Sequence, residues 1–300
     1  MISQLFFIYT RNYVRILPMN KVIKRRKKTQ LNRWLKGKSK TTLIIAGILA
    51  LVIVIFLFCI FYVVIGTYKG LGQSATIPRS EYTQSGYYWQ DGFLRYKDSS
   101  YTSAAGIDVS TYQGSIDWKK VKKAGVDFVM IRLGYSGSSN GSIQIDKRYK
   151  ANLQGAEDAG IDVGVYFFSQ AITTDEAIKE AKFVIRHIRG KGVNYPVVFD
   201  MEHMDGDRIS SLTDTERTRI ADAFCTIINN NGYTPMVYGN QKWLLREVDL
   251  SYLTKYDTWL AHYSTTTAYP YAYKMWQYSN YGTVTGISGH VDLNIAYIKK

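Results

Sequence analysis

The sequence contains few of the residues that form disulfides in small exported domains or bind metal ions. Its 300 residues include two cysteines, four histidines and five prolines. Cys59 lies within a long apolar run, so it forms no disulfide framework with Cys225. We expect Cys225 to be a small buried apolar residue, with a catalytic nucleophile as the weaker alternative. The histidines have no metal-ligand spacing, and we predict neither a metal nor another cofactor.

Acidic residues are absent from residues 1–41, which contain twelve of the 38 lysines and arginines. The remaining chain has 26 basic and 24 acidic side chains, so the net charge of +14 describes the N-terminus and not the body. The basic run Lys24–Lys28 allows nucleic-acid or anionic-lipid binding, or a membrane topology signal. We favour the topology signal and predict no nucleic-acid partner. Met19 precedes this run, and translation begins at Met1 or at Met19.

Charge of either sign is absent from residues 43–65, a run of 23 mostly apolar residues. A helix of that length is about 35 Å long and spans a bilayer core. The run therefore predicts a transmembrane helix at 43–65 after a basic cytoplasmic tail at 1–42. Because positive charge stays inside, we expect a single-pass protein of the cell membrane with an extracellular C-terminal domain. A cleaved signal peptide is the alternative.

The amino-acid composition of the chain changes twice after this apolar run. Residues 66–104 are rich in Ser, Thr, Gly, Gln and Tyr, which is typical of an extracellular linker or stalk. From residue 105 to 300, apolar β-type runs alternate with helical patterns, which predicts an α/β fold. We expect a distorted (β/α) barrel with about eight mainly parallel strands. The predicted strands are Gly106–Val109, Phe128–Leu133, Asp162–Phe168, Pro196–Met201, Pro235–Tyr238, Thr258–His262, Lys274–Tyr278 and His290–Ile295.

Four helices are predicted between these strands. One of them begins at Thr213, which forms a capping box with Glu216. The predicted helices are Trp118–Ala124, Lys147–Ala159, Thr174–Arg189 and Thr213–Asn231.

Two carboxylates end the fourth predicted strand. Asp200 and Glu202 are two residues apart, so in a strand they share a face, with Cα atoms roughly 6–7 Å apart. Repulsion between carboxyls that close raises the pKa of one of them, which provides an acid and an anion near neutral pH. The alternative is a strand that simply ends in two solvated acids.

The motifs in this order resemble glycoside hydrolase family 25, the muramidases of the Chalaropsis type. The resemblance runs from about residue 105 to the C-terminus. It implies a distorted α/β barrel and cleavage of the β-1,4 bond after N-acetylmuramic acid in peptidoglycan. The motifs that carry it are Gly106–Ser110, Tyr112–Gly114, Asp117-Trp118, Phe128–Arg132, Asp200-x-Glu202, Trp276–Tyr278 and Val291–Asn294.

The resemblance also implies roles for individual residues. Glu202 would be the general acid, and Asp200 would either stabilise positive charge or orient the acetamido group of the substrate as nucleophile. Asp108 and Asp292 match the other two active-site acids of the family. The expected sugar-binding side chains are Tyr166, Tyr238, Trp276 and Gln277, for which core packing is the alternative.

Together these features predict a membrane-tethered N-acetylmuramidase. Its partners would be peptidoglycan glycan strands and, through residues 43–65, the lipid bilayer. One alternative is a catalytically weak peptidoglycan-binding module that anchors an envelope complex. Another is a barrel hydrolase that acts on a different amino-sugar polymer such as chitin.

Overall fold

The structure is a computed structural model that describes residues 39, 45, 48, 49, 51–58 and 76–300. The chain divides into two compact units, Met1–Gln73 and Ser74–Lys300. In the first unit, residues 51–58 are helical. Among the described residues, no helix is both long and apolar enough to cross a membrane. Almost all of the basic tail and much of the predicted span lie outside the described residues, so the transmembrane helix stays a prediction.

The second unit contains eleven strands, eight of which form a closed barrel. In chain order the strands are β1 (Tyr87–Gln90), β2 (Phe93–Tyr96), β3 (Tyr101–Val109), β4 (Phe128–Ser136), β5 (Ile143–Ile145), β6 (Asp162–Phe168), β7 (Val193–Asp200), β8 (Pro235–Asn240), β9 (Asp257–Ala261), β10 (Met275–Gly282) and β11 (Val291–Lys299). The barrel order is β3-β4-β6-β7-β8-β9-β10-β11, and β3 closes the ring by pairing with both β4 and β11. The predicted barrel of eight strands is confirmed.

The sheet is mixed, which corrects the expectation of mainly parallel strands. Strand β11 runs antiparallel to both of its neighbours in the ring, β10 and β3. The β1–β2 and β4–β5 pairs are antiparallel as well. The reason lies in the connections: residues 283–290 between β10 and β11 form only a short loop, whereas a parallel pair needs a crossover of a dozen or more residues.

Helices cover the outer surface of the first part of the barrel. They are α1 (Trp118–Lys123), α2 (Tyr149–Asp158), α3 (Thr174–Ile188), α4 (Asp214–Asn230), α5 (Gln241–Arg246) and α6 (Leu250–Leu253). Helix α4 begins with the predicted capping box, in which the side chains of Thr213 and Glu216 bond to each other's backbone N–H. The helices α5 and α6 and the three-residue strand β5 were not predicted.

The hairpin β1–β2 lies where the predicted linker was expected. Its turn is Asp91-Gly92, and both residues have positive φ (53° and 81°), as a tight hairpin turn requires. Leu94 is 2% exposed, and its backbone N–H donates to the Tyr278 hydroxyl at 3.1 Å. The hairpin thus covers β10 and β11, which have no helix between them. The folded unit therefore begins before the predicted boundary at residue 105, and residues 76–104 belong to it.

The barrel interior changes from apolar to polar along its strands. On β4, alternate residues point inward, and Phe128 and Met130 fill the interior while Arg132 reaches a cavity at the far end. On β3, any side chain at Gly106 would overlap the Phe128 ring, and Asp108 follows two residues later in the same cavity as Arg132. Apolar side chains therefore fill the barrel interior, and the polar site lies above them at the C-terminal ends of the parallel strands.

The hairpin contacts predict that its apolar side chains stabilise the barrel. In residues 74–300, Leu94→Ala should lower the free energy of unfolding by about 2–5 kcal/mol, because it leaves a cavity against β10. Leu245→Ala, on a side chain that is 45% exposed, is the matched control and should change it by less than about 0.5 kcal/mol. Urea unfolding measures both. Equal, small effects would mean that residues 76–104 act as a linker.

Candidate active site

Four carboxyl side chains line one cavity at the C-terminal ends of the parallel strands. They are Asp108, Asp200, Glu202 and Asp292, and the cavity has a volume of about 240 Å³. Asp292 is the second residue of β11, yet it reaches this end because β11 is antiparallel and pairs Asp292 directly with Asp108. The position of Asp292, which the rule for parallel strands does not explain, follows from the direction of its strand.

Asp108 is buried and accepts two hydrogen bonds from side-chain amides. Gln277 Nε2 and Asn294 Nδ2 each lie 2.8 Å from Asp108 Oδ2. These amides are oriented in turn, since Gln277 Oε1 accepts from the Tyr238 hydroxyl at 2.9 Å and Asn294 Oδ1 from Trp259 Nε1 at 2.9 Å. Burial, and then the neighbouring Asp292, raise the pKa of Asp108 well above its ordinary value, although both amides oppose the shift.

The carboxyl groups of Asp200 and Glu202 interact directly, and Asp200 Oδ1 is buried without a hydrogen-bond partner. Burial, and then the charge of Glu202, raise the pKa of Asp200 well above its ordinary value. Burial, and then Asp292, raise the pKa of Glu202 to about 6, while the interaction with Asp200 lowers it. Burial raises the pKa of both carboxyls, and Asp200 is the more deeply buried of the two. The spacing predicts that one carboxyl raises the pKa of the other; in the structure the charge of Glu202 raises the pKa of Asp200, and the charge of Asp292 raises that of Glu202.

Three of the four predicted sugar-binding side chains reach the cavity. Tyr166, Tyr238 and Gln277 line it. Trp276 does not: it is fully buried on the outer side of β10, where its ring lies edge-on to Tyr87 at 5.7 Å between centroids. Neighbouring residues of a strand face opposite sides, so Gln277 inside requires Trp276 outside. The alternative of core packing holds for Trp276.

Sequence reasoning missed seven further side chains that line the cavity. Among them, Arg132 ends the inward row of β4, and its Nε and guanidinium nitrogen lie 2.9 and 2.8 Å from Asp146 Oδ2. Trp259 lies on β9 with its ring edge-on to Tyr238 at 4.8 Å. The period of two along the predicted strands was the signal that could have found both. The seven are Ser110, Tyr112, Gln113, Arg132, Phe168, Trp259 and Tyr263.

A second cavity of about 580 Å³ adjoins the first. The two share Tyr112, Arg132, Phe168 and Glu202 among their lining residues. Of the four carboxyls of the first cavity, Glu202 alone also lines the second. Glu202 therefore lies at the boundary between the two cavities, whereas the other three face the deeper one.

Cys225 is fully buried in helix α4, and burial raises the pKa of its thiol. A buried, protonated thiol packs as an apolar side chain and is a poor nucleophile. Cys59 lies outside the described residues. Within the part of the chain that the structure describes, no group of three or more His, Cys, Asp or Glu side chains is arranged to hold a metal ion.

The sequence of residues 107–287 matches the family model described as glycosyl hydrolases family 25. An uncharacterised protein of Escherichia coli O157:H7, YegX, is 26% identical over 213 residues, which cover 70% of this chain and 75% of that protein. Lysozyme M1 of Streptomyces globisporus is 30% identical over 201 residues, or 63% of this chain and 66% of the relative.

Among solved structures, the modular autolysin LytC of Streptococcus pneumoniae is similar to this chain, with a TM-score of 0.61 and 26% identity. The match covers 71% of this chain and 52% of the autolysin, so the chain spans about half the length of that protein. LytC has also been solved in complex with a synthetic peptidoglycan ligand, with a TM-score of 0.61 and 25% identity to this chain.

The geometry predicts that Asp292 helps to keep Glu202 protonated. Asp292→Asn removes a negative charge that opposes ionisation, so the pKa of Glu202 should fall from about 6 towards its ordinary value of 4.5. Titration of ¹³C-labelled glutamate carboxyls by NMR measures this shift. Asp158→Asn, on the exposed face of α2, is the control and should leave it unchanged. An unchanged pKa in Asp292→Asn would refute the electrostatic coupling.

Proposed function

The chain belongs to glycosyl hydrolase family 25, and we propose that it is an N-acetylmuramidase. It would cleave the β-1,4 bond between N-acetylmuramic acid and N-acetylglucosamine in peptidoglycan. The observation that carries the proposal is the set of four carboxyls in one cavity, where burial raises the pKa of each. Glycosidic cleavage needs a proton for the leaving oxygen and negative charge beside the oxocarbenium-like centre.

Glu202 is the general acid in this proposal. Burial supports the role, since it keeps part of the Glu202 population protonated near neutral pH. Glu202 gives its proton to the glycosidic oxygen as the bond to the anomeric carbon breaks. The carboxyl of Asp200, which interacts with that of Glu202, then stabilises the positive charge or orients the acetamido oxygen that attacks the anomeric carbon. In the first route Asp200 itself bonds to the anomeric carbon, and in the second the acetamido oxygen does so. In either case water then attacks that carbon, the intermediate bond breaks and the proton of the water returns to Glu202, so that the configuration is retained.

The position of Glu202 supports a direction for the glycan strand. The deeper cavity is lined by Asp108, Asp200 and Asp292, and any of these carboxyls that is ionised there would stabilise a cationic sugar ring. The second cavity lies on the other side of Glu202 and has room for the sugar that leaves. The muramic acid ring therefore occupies the deeper cavity, and the leaving glucosamine side extends into the second. The rings of Tyr166 and Tyr238, which line the first cavity, contact the bound glycan.

We also propose that the chain is a single-pass protein of the cell membrane. The support comes from the sequence, which has 23 residues without charge at 43–65 after a strongly basic segment. Such a tether would confine hydrolysis to the peptidoglycan that lies close to the membrane. The catalytic domain would then be extracellular, with the N-terminus in the cytoplasm.

Incubation with purified peptidoglycan tests the enzymatic proposal. Glu202→Gln should reduce cleavage by about 100- to 10,000-fold, because the acid is lost while the shape is kept. New reducing ends are reduced with borohydride and identified by mass spectrometry. Glu157→Gln, on helix α2 away from both cavities, is the matched control and should keep full activity.

The identity of the ends discriminates among the hypotheses. Reduced muramic acid from the unaltered protein supports the muramidase. Reduced glucosamine would keep the hydrolase and reject the bond assignment. Folded protein that binds peptidoglycan without cleaving it would favour the alternative of a catalytically weak binding module.

Membrane fractionation tests the tether. The full chain should stay in the membrane pellet after washing with alkaline carbonate, because a spanning helix is held by its apolar surface rather than by charge. A variant that lacks residues 43–65 should be released. Release of the full chain by carbonate alone would contradict the proposal.

A further inference from the structure

Glu202 lies outside the regular structure that holds the other three carboxyls. Strand β7 ends at Asp200, and helix α4 begins at Asp214. Residues 201–213 between them form an irregular segment, which we call the acid loop. Gly206 within it has a φ of 72°, which favours glycine. The position of the Glu202 carboxyl therefore depends on what holds the acid loop.

One anchor of the acid loop is the fully buried Gln170, which follows β6. Its Nε2 donates to the Glu202 carbonyl at 3.2 Å, and its Oε1 accepts from the Arg208 backbone N–H at 3.2 Å. The Arg208 guanidinium forms two bonds with the Glu176 carboxylate, at 3.0 and 3.1 Å. The backbone on both sides of Gly206 is thereby fixed to the start of helix α3.

The second anchor is His203, the residue after Glu202. Its Nδ1 lies 2.8 Å from Asp207 Oδ2 within the acid loop, and its Nε2 lies 2.7 Å from Glu247 Oε2 at the end of helix α5. The side chains of Asp207 and Glu247 are 1% and 12% exposed, whereas that of His203 is 38% exposed. The two carboxylates are thus largely buried, and the ring that joins them lies partly in solvent.

Both carboxylates are ionised around neutral pH. Burial works to raise the pKa of Asp207, but hydrogen bonds from Ser210, His203 and the Met204 N–H outweigh it and lower that pKa to about 2. Burial also works to raise the pKa of Glu247, but bonds from Lys242 and His203 outweigh burial, so that the pKa of Glu247 is lowered. The His203 ring is therefore held between two permanent acceptors, one on its own loop and one on a different helix.

We propose that His203 is a positioning residue that orients the Glu202 carboxyl by clamping the acid loop to helix α5. The inference rests on the proposed function, in which Glu202 transfers the proton. The adjoining peptide cannot rotate while the ring bridges Asp207 and Glu247. Loss of the bridge lets Glu202 move away from Asp200 and from the glycosidic oxygen. Misplacement by about 1 Å is enough to slow such a step by about 100-fold.

Kinetics of the full-length protein on soluble peptidoglycan fragments test the clamp. His203→Ala should lower kcat by about 10- to 100-fold and change KM by less than about twofold, because the contacts of the sugar ring in the first cavity remain. His203→Gln can still donate to one carboxylate, so its kcat should lie between that of the unaltered protein and that of His203→Ala. Lys242→Ala is the matched control: it removes a cation that is 72% exposed and pairs with Glu247 but not with His203, and it should keep kcat within about twofold.

A double-mutant cycle separates the clamp from general damage. Glu247→Ala should lower kcat in the unaltered protein and have almost no further effect in His203→Ala, since both changes break the same bridge. Additive losses would overturn the proposal. A rise in KM with kcat unchanged would overturn it as well, because His203 lines the second cavity and would then be a glycan-binding residue.

A measurement that needs no activity keeps the clamp and the proposed function distinguishable. In residues 74–300, the pKa of Glu202 is about 6 because the carboxyl is buried beside Asp292. His203→Ala should lower that pKa as Glu202 gains access to water, which NMR titration of the carboxyl detects. An unchanged Glu202 pKa would overturn the clamp. Failure of the unaltered protein to cleave peptidoglycan would overturn the proposed function alone.

Discussion

Repulsion among carboxyl groups in a buried cavity is the constraint on which the rest of the site depends. Ionised carboxylates that lose water without gaining a partner are costly, so such groups are paired, bonded or protonated. This barrel uses the last two means. Two amides donate to Asp108, and burial raises the pKa of Asp200, which favours its protonated form. The nearest guanidinium, that of Arg132, is already bonded to Asp146. A proton for transfer is thus retained by the unfavourable electrostatics of the site itself.

The barrel satisfies this constraint through the direction of one strand. Because β11 is antiparallel, its first residues lie at the end of the barrel where the parallel strands finish, and Asp292 pairs with Asp108. The short connections of β10 and β11 that produce this reversal leave no helix to cover the strands. The hairpin β1–β2 covers them instead, with Leu94 bonded to Tyr278. The family match begins at residue 107, after the hairpin, so this cover is a part of the folded unit that the family model does not include.

The four carboxyls differ in what supports them. Asp108, Asp200 and Asp292 are strand residues and share the rigidity of the barrel. Glu202 lies on a loop, and the anchors at Gln170 and His203 replace the missing strand. Glu202 is thereby held on the border of both cavities, where a strand residue would face only one.

The sequence by itself determined the eight barrel strands, four of the six helices and the carboxyl pair, because each depends on a local period, cap or spacing. It also indicated which residues end their strands, which brought Asp108, Asp200, Tyr166 and Tyr238 to one place. Only the tertiary structure decided the direction of β11, the role of the hairpin at Asp91-Gly92 and the outward position of Trp276. It also decided that Asp200 is buried more deeply than Glu202 and that His203 bridges two carboxylates. These features depend on contacts between residues far apart in the chain and on depth below the surface, neither of which has a local signal.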